Sequence, residues 1–216
     1  MHFARTKLRH DPVYLSLLRD GLIPDHVRLL DLGCGQGTLL ALLLAAREQY
    51  RCGAWPDRWP APPEHVELHG IELGRADVRR ARLALGGRAA IEQVDLRYAR
   101  IAPSDVIVLL DVLHYLEADV QERLLSNVAR ALTPGGRLIA RVGDAAGGFT
   151  SLLTRAVDRV VCMARGWPAP RWRTRSVLEW IRLLEQSQLR VSAEPMSRGT
   201  PFANVLLVAL RPHAAD

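Results

Sequence analysis

Two kinds of apolar run alternate along the chain. One kind is short, at 27–32 (VRLLDL), 66–71 (VELHGI, alternating apolar and polar), 89–94, 105–110 (DVIVLL), 137–142, 189–193 and 204–210 (NVLLVAL). Runs of this length are β-strands, and those without alternation, DVIVLL above all, are strands covered on both faces. The other kind is longer and spaced by three and four, at 11–20, 39–49, 75–85, 119–132 and 176–186. These are helices: the first carries Pro12 in its opening turn and is closed by Gly21, and 39–49 is apolar on nearly every face, as a helix packed between a sheet and its neighbours should be. Strands that alternate with helices predict an α/β fold around a mostly parallel sheet.

Where the pattern breaks, the breaks are informative. The stretch 50–65 (YRCGAWPDRWPAPPEH) is too rich in proline for a helix and reads as a long connecting loop, an insertion whose Trp55 and Trp59 either cover a substrate or pack the loop against its own domain. Thr133-Pro134-Gly135-Gly136 ends the fourth helix in a turn. GDAAGG at 143–148 makes a flexible loop at the ligand end of its strand, near Arg141 and Asp144. The region 151–175 contains a helix and then RGWPAPRWRTR, a polar and aromatic excursion without regular period.

Chemistry concentrates where strands end. The first strand runs through Asp31 into Gly33-Cys34-Gly35-Gln36-Gly37 and then a helix starting near Thr38. Glycine permits a positive φ and a close approach of backbone to ligand, and the new helix aims its free N–H groups at whatever lies over the turn. The third glycine comes one residue too early for G-x-G-x-x-G, which speaks against a dinucleotide pyrophosphate. Glu72 closes the second strand, at the height where a carboxylate accepts both hydroxyls of a ribose; it otherwise serves as an N-terminal charge for the helix at 75–85. Asp95 follows the third strand, and Asp111-Val112-Leu113-His114-Tyr115-Leu116 follows the fourth. His114 stands just past a strand's C-terminal end, where open α/β sheets bind ligands, and imidazole is the side chain best suited to take a proton near pH 7. It serves there as a general base, or it caps and packs beside the ligand.

DLGCGQG after an apolar strand resembles motif I of the class I S-adenosylmethionine (SAM) dependent methyltransferases. GIEL at 70–73 resembles motif II, DVLHYL motif IV, and LTPGG with the strand after it motif V, so the resemblance covers 27–210 in order. It implies a Rossmann-like, doubly wound, mostly parallel seven-stranded sheet with an antiparallel last strand. It implies SAM as cofactor, held by Asp31, Gly33, Cys34, Gly35, Gly37, Glu72 with Leu73, Asp95 with Leu96 (adenine), Asp111 and Val112. His114 and Tyr115 become the catalytic candidates, with no metal. In related enzymes the segment before motif I forms part of a lid, so 1–26, with Phe3, Arg5, Lys7 and Tyr14, is expected to line the site, and 149–175 to cap the substrate. The absence of N-P-P-Y and D-P-P-Y at motif IV removes most of the weight from amino methylation of DNA or glutamine. The wording of DVLHYL, RVGDAAGG and EPMSRGTPFANVLLVA is similar to methyltransferases of bacterial aryl polyene pigment pathways, which implies a phenolic or carrier-bound acceptor.

Composition narrows this picture only a little. A length of 216 residues suits one α/β domain with a real core. The three cysteines, Cys34, Cys52 and Cys162, are far apart with no C-x-x-C, so neither a disulfide framework nor a zinc site is expected, and a reducing cytoplasm fits. MHFARTKLRHDPVY is charged where a secretion signal would be apolar, and 39–46 is too short an apolar run to span a bilayer. The net charge of +6 comes from arginines scattered through every segment, Lys7 being the only lysine, and a nucleic-acid footprint is normally clustered. The expected partner is therefore a small-molecule substrate, free or presented on an acyl carrier protein, with neither membrane nor nucleic acid. Arg165, Arg171, Arg173 and Arg175, interleaved with Trp167 and Trp172, are the residues that would receive an acidic carrier or an anionic aromatic acid. The other readings are a nicotinamide-dependent reductase, against which stand the glycine spacing and the lack of a Tyr-x-x-x-Lys pair, a nucleic-acid methyltransferase, and a SAM-binding protein without catalysis.

Overall fold

The computed structural model describes residues 11–144, 175–196 and 204–213. In chain order its elements are α1 (Pro12–Arg19), β1 (Val27–Leu32), α2 (Thr38–Arg51), β2 (Val66–Glu72), α3 (Arg75–Leu85), β3 (Ala90–Gln93), β4 (Ser104–Leu110), a 3-10 turn (Leu113–Tyr115), α4 (Ala118–Ala131), β5 (Leu132–Gly143), α5 (Val177–Gln186), β6 (Arg190–Pro195) and β7 (Asn204–Leu210). The strands form one seven-stranded sheet in the order β3-β2-β1-β4-β5-β7-β6. β1 pairs parallel with β2 and β4, and β2 with β3, whereas β7 runs antiparallel to β5 and β6. This is the mostly parallel sheet with an antiparallel last strand that the resemblance implies. The chain divides into two compact units, Met1–Val108 and Leu109–Asp216.

In the first unit, β1 is paired along both edges, by β2 and by β4, and its Leu29, Leu30 and Leu32 are buried. The register runs from Val27 opposite Val66 to Leu32 opposite Ile71, so the turn after β1 and the acid that ends β2 come level. Helix α2 buries Leu39, Leu40, Leu43, Leu44 and Ala46. The loop after it packs on itself. Trp55 and Trp59 meet edge to face at 5.5 Å, the Trp55 indole N–H donates to the Pro60 carbonyl at 2.9 Å, and Arg47 Nε donates to the Pro63 carbonyl at 2.8 Å. Helix α1 is a packed element, with Val13, Tyr14, Leu17 and Leu18 buried; Phe3, Arg5 and Lys7 lie outside the described residues.

In the second unit, α4 turns Val120, Leu124, Leu125, Val128 and Ala129 inward, the spacing of one helical face. One expectation fails here. Thr133-Pro134-Gly135-Gly136 is not a free turn, because β5 begins at Leu132 and runs straight through it. Backbone pairing supplied by Arg211 is the reason: Gly135 N–H donates to the Arg211 carbonyl at 2.9 Å and Arg211 N–H to the Gly136 carbonyl at 2.8 Å. The Arg211 guanidinium also donates to the carbonyls of Arg130 and Leu132 at the end of α4, the role a basic group commonly takes at a helix C-terminus. Helix α5 opens on a capping box, the Ser176 hydroxyl accepting from Glu179 N–H while the Glu179 carboxylate accepts from Ser176 N–H.

Candidate functional site

The glycine turn of the first unit is built around one carboxylate. Gly33 N–H and Cys34 N–H both donate to the Ile71 carbonyl, at 2.8 and 3.1 Å, which lays the turn across the end of β2. Glu72, only 5% exposed, then accepts Gly35 N–H on Oε2 at 2.9 Å and Gly74 N–H on Oε1 at 2.7 Å. It thus serves both the glycine turn and the entry of α3, and each oxygen keeps a second lone pair for a further donor.

The glycines of the turn differ in purpose. Gly35 has φ +56 and no atom within 4 Å of where a Cβ would stand, so its backbone faces open space. Gly37 has φ +75, and a Cβ there would stand 2.9 Å from Leu85 Cδ1 and 3.3 Å from Ala81 Cβ, so it lets α3 pack against the start of α2. Gly70 on β2 is needed by Cys34, whose sulfur would lie 2.8 Å from a Cβ. Burial, followed by the charges of Asp31 and Glu72, pushes the Cys34 thiol far above its ordinary range. It stays a neutral, buried packing group rather than a nucleophile.

The remaining expected residues of this unit stand as follows. Asp31 is buried on β1. Leu73 is 43% exposed, and its carbonyl accepts from Gln93 Nε2 at 3.3 Å. Val94 N–H donates to the Glu72 carbonyl at 3.1 Å, which draws the segment carrying Asp95 and the half-buried Leu96 beside the end of β2. The Asp95 carboxylate is clasped by Arg97, with contacts of 2.6 to 3.0 Å, and this hydrogen bonding holds its carboxyl below the usual range. Arg97 is a partner that an Asp-Leu-Arg reading of the sequence does not reveal.

In the second unit, Asp111 follows β4 with φ +60, the left-handed region that a short polar side chain tolerates. Its two oxygens accept from Nε (2.7 Å) and from the terminal nitrogen of Arg141, a buried arginine on β5. Val112 leads into the 3-10 turn, where the His114 and Tyr115 rings lie 4.1 Å apart at 47°. That turn hangs on Gln121, which is fully buried: its Nε2 donates to the carbonyls of Leu113 and Leu116 at 3.0 and 3.1 Å. Its Oε1 accepts from Arg175 Nε at 3.0 Å, and Arg175 donates further to Glu122 at 2.6 Å and lies 5.7 Å above the Trp180 ring. Arg175 is therefore committed inside this unit rather than offered to a partner, while Arg165, Trp167, Arg171, Trp172 and Arg173 lie outside the described residues. Asp144 accepts from Val177 N–H at 3.4 Å.

Gln121 has a signal in the sequence, being a polar residue three, four and seven positions before Leu124, Leu125 and Val128 on the apolar stripe of α4. Gln121→Leu should lower stability by about 3 kcal/mol, since it removes three hydrogen bonds of about 1 kcal/mol each and leaves the Leu113 and Leu116 carbonyls and Arg175 Nε without this partner. Chemical denaturation measures this, and an unchanged midpoint would show the glutamine to be dispensable.

Comparison with known proteins places this arrangement. The family model described as "Methyltransferase domain" matches residues 30–138, and the chain belongs to that family. A carboxy-S-adenosyl-L-methionine synthase of Chromohalobacter salexigens is 32% identical over 129 residues, 55% of this chain and 43% of that protein. The chain spans about half the length of the curated relatives it matches. Among solved structures, an O-methyltransferase family protein from Burkholderia thailandensis superposes with a TM-score of 0.68 at 20% identity, over 98% of this chain and 58% of that one. A putative methyltransferase of Haloferax volcanii, solved with a methyltransferase activator, superposes with a TM-score of 0.70 at 14% identity, over 99% and 94%. The fold is the class I SAM-dependent methyltransferase fold, and its cofactor is SAM. The first unit fits that group: the backbone at Gly35 is open, a buried carboxylate keeps free lone pairs at the end of β2, and α2 starts without a side-chain cap on its N–H groups. No helix among the described residues is long and apolar enough to cross a membrane.

Proposed function

We propose that the protein transfers the methyl group of SAM to an oxygen or activated carbon of a small-molecule acceptor. The observation that carries this is Glu72, which shapes the glycine turn through Gly35 and keeps acceptor capacity for the two ribose hydroxyls. Gly33, Cys34, Gly35, Gly37, Asp31 and Leu73 would hold the cofactor with Glu72, and Asp95 and Leu96 would take the adenine. Asp111 and Val112 complete the cofactor residues. SAM, when bound, supplies a methyl group already activated by the sulfonium charge. What remains for the chain is to align the acceptor and remove its proton, for which His114, with Tyr115 beside it, is the base.

Phenols and aryl acids of pigment pathways, free or carried on an acyl carrier protein, are the acceptor class we favour, with 1–26 as lid and 149–175 as cap. The similarity to carboxy-S-adenosyl-L-methionine synthases favours a second reading, in which the methyl carbon of SAM gives up a proton and takes the carbon dioxide released by a carboxylic acid co-substrate, whose own carbon receives that proton. Calorimetry with SAM, S-adenosylhomocysteine and NADPH tests the cofactor, and mass spectrometry of incubations with phenols and carboxylic acids tests the acceptor. Methylated phenol supports the first reading and carboxylated SAM the second. Tight NADPH binding with no response to SAM would sink both.

A further inference from the structure

Away from the glycine turn, the opposite ends of β1 and β2 bring three metal-binding side chains together. Asp25 and His26 directly precede β1, and His65 directly precedes β2. Because Val27 and Val66 are partners in register, the ladder itself sets the two histidines side by side. Their rings stack with centroids 4.5 Å apart and planes 6° from parallel. Asp25 Oδ1 accepts three backbone N–H groups, from His26 and Glu64 at 2.9 Å each and from His65. That leaves Oδ2 facing His65 Nδ1 at 3.2 Å and His26 Nε2 at 3.7 Å. One ligand atom from each residue lies within 4.8 Å of the others.

We propose that Asp25, His26 and His65 form a binding site for a divalent transition-metal ion, zinc above all. Two imidazole nitrogens and one carboxylate oxygen are a zinc-type ligand set, whereas calcium and magnesium take oxygen alone. Ligands at 2.0–2.1 Å around a tetrahedral ion stand about 3.3 Å apart, and the two distances from Oδ2 bracket that spacing. The rings must swing together to complete it. Both are largely exposed, so little packing resists the swing, and each can carry its remaining proton on the outward nitrogen, Nε2 of His65 and Nδ1 of His26. The three N–H groups on Oδ1 are the outer partners that keep a ligating carboxylate in orientation. An ion here fastens the entry of β1 to the entry of β2, at the end of the ladder away from Glu72. It is a stabilising site, with no part in methyl transfer.

The test uses untagged, chelator-treated protein carrying Cys52→Ser, since that exposed thiol is a competing ligand. Titration with zinc chloride should give one ion per chain and a thermal midpoint that rises with zinc, with SAM affinity unchanged. His26→Gln and His65→Gln, which keep the backbone N–H bonds to Asp25, should each weaken zinc by at least about tenfold, the loss that even an outer partner causes. Should a variant fail to fold, cobalt spectra of the parent protein serve instead, with nitrogen and oxygen ligand-field bands expected. Absence of zinc binding, zinc affinity kept in the double variant, or thiolate charge transfer in the cobalt spectrum would overturn the proposal.

Discussion

Glu72→Ala should lower SAM affinity about a hundredfold, read by calorimetry. Hydrogen bonds to a charged group contribute from roughly 1.5 kcal/mol each, and 1.4 kcal/mol is a factor of ten, so losing two ribose bonds at that lower value accounts for the effect. The same change frees Gly35 N–H and Gly74 N–H, loosening the glycine turn itself. Glu72→Gln should fall between, because its NH2 faces one of two N–H donors. Two glycine variants separate cofactor contact from packing. Gly35→Val places its side chain in open space and should abolish SAM binding at a stability cost of about 1 to 2 kcal/mol for the left-handed backbone. Gly37→Val bears the same cost plus the collision with Leu85 and Ala81, so its main loss should be in thermal stability. Native SAM affinity in Gly35→Val would remove the glycine turn from the cofactor site.

His114→Ala should slow turnover by about a hundredfold or more, the usual range for loss of a general base, with SAM affinity intact. The deficit should shrink for acceptors already ionised at the assay pH, since those no longer need a proton removed. Tyr115→Phe, which keeps the ring against His114, should cost much less if Tyr115 only orients the imidazole. An equal loss for strongly and weakly acidic phenols would instead make His114 a positioning residue, and Gln121, which pins the carbonyls on either side of it, would then set its place.

Much of the architecture was legible from period alone. Continuous apolar runs such as DVIVLL and stripes such as Val120, Leu124 and Val128 are local properties, because a buried strand and an amphipathic helix each state their period within a few residues. The glycines after β1, the acid ending β2 and the histidine after β4 could be picked out for the same reason: each stands where a periodic run stops. Choice of hydrogen-bond partner is a property of the fold, and there the sequence falls silent. Thr133-Pro134-Gly135-Gly136 carries the residues of a turn, yet Arg211, distant in sequence, pairs with it and makes it strand. Gly35 and Gly37 look alike until Leu85 and Ala81 are seen to crowd only one of them. Asp25 and His65 are far apart in the chain and meet because parallel pairing aligns the starts of β1 and β2. Periodicity thus determined which elements form, while the tertiary structure decided how far β5 extends and which backbone donors and side chains face one another, since that depends on strand register and helix packing that no local window contains.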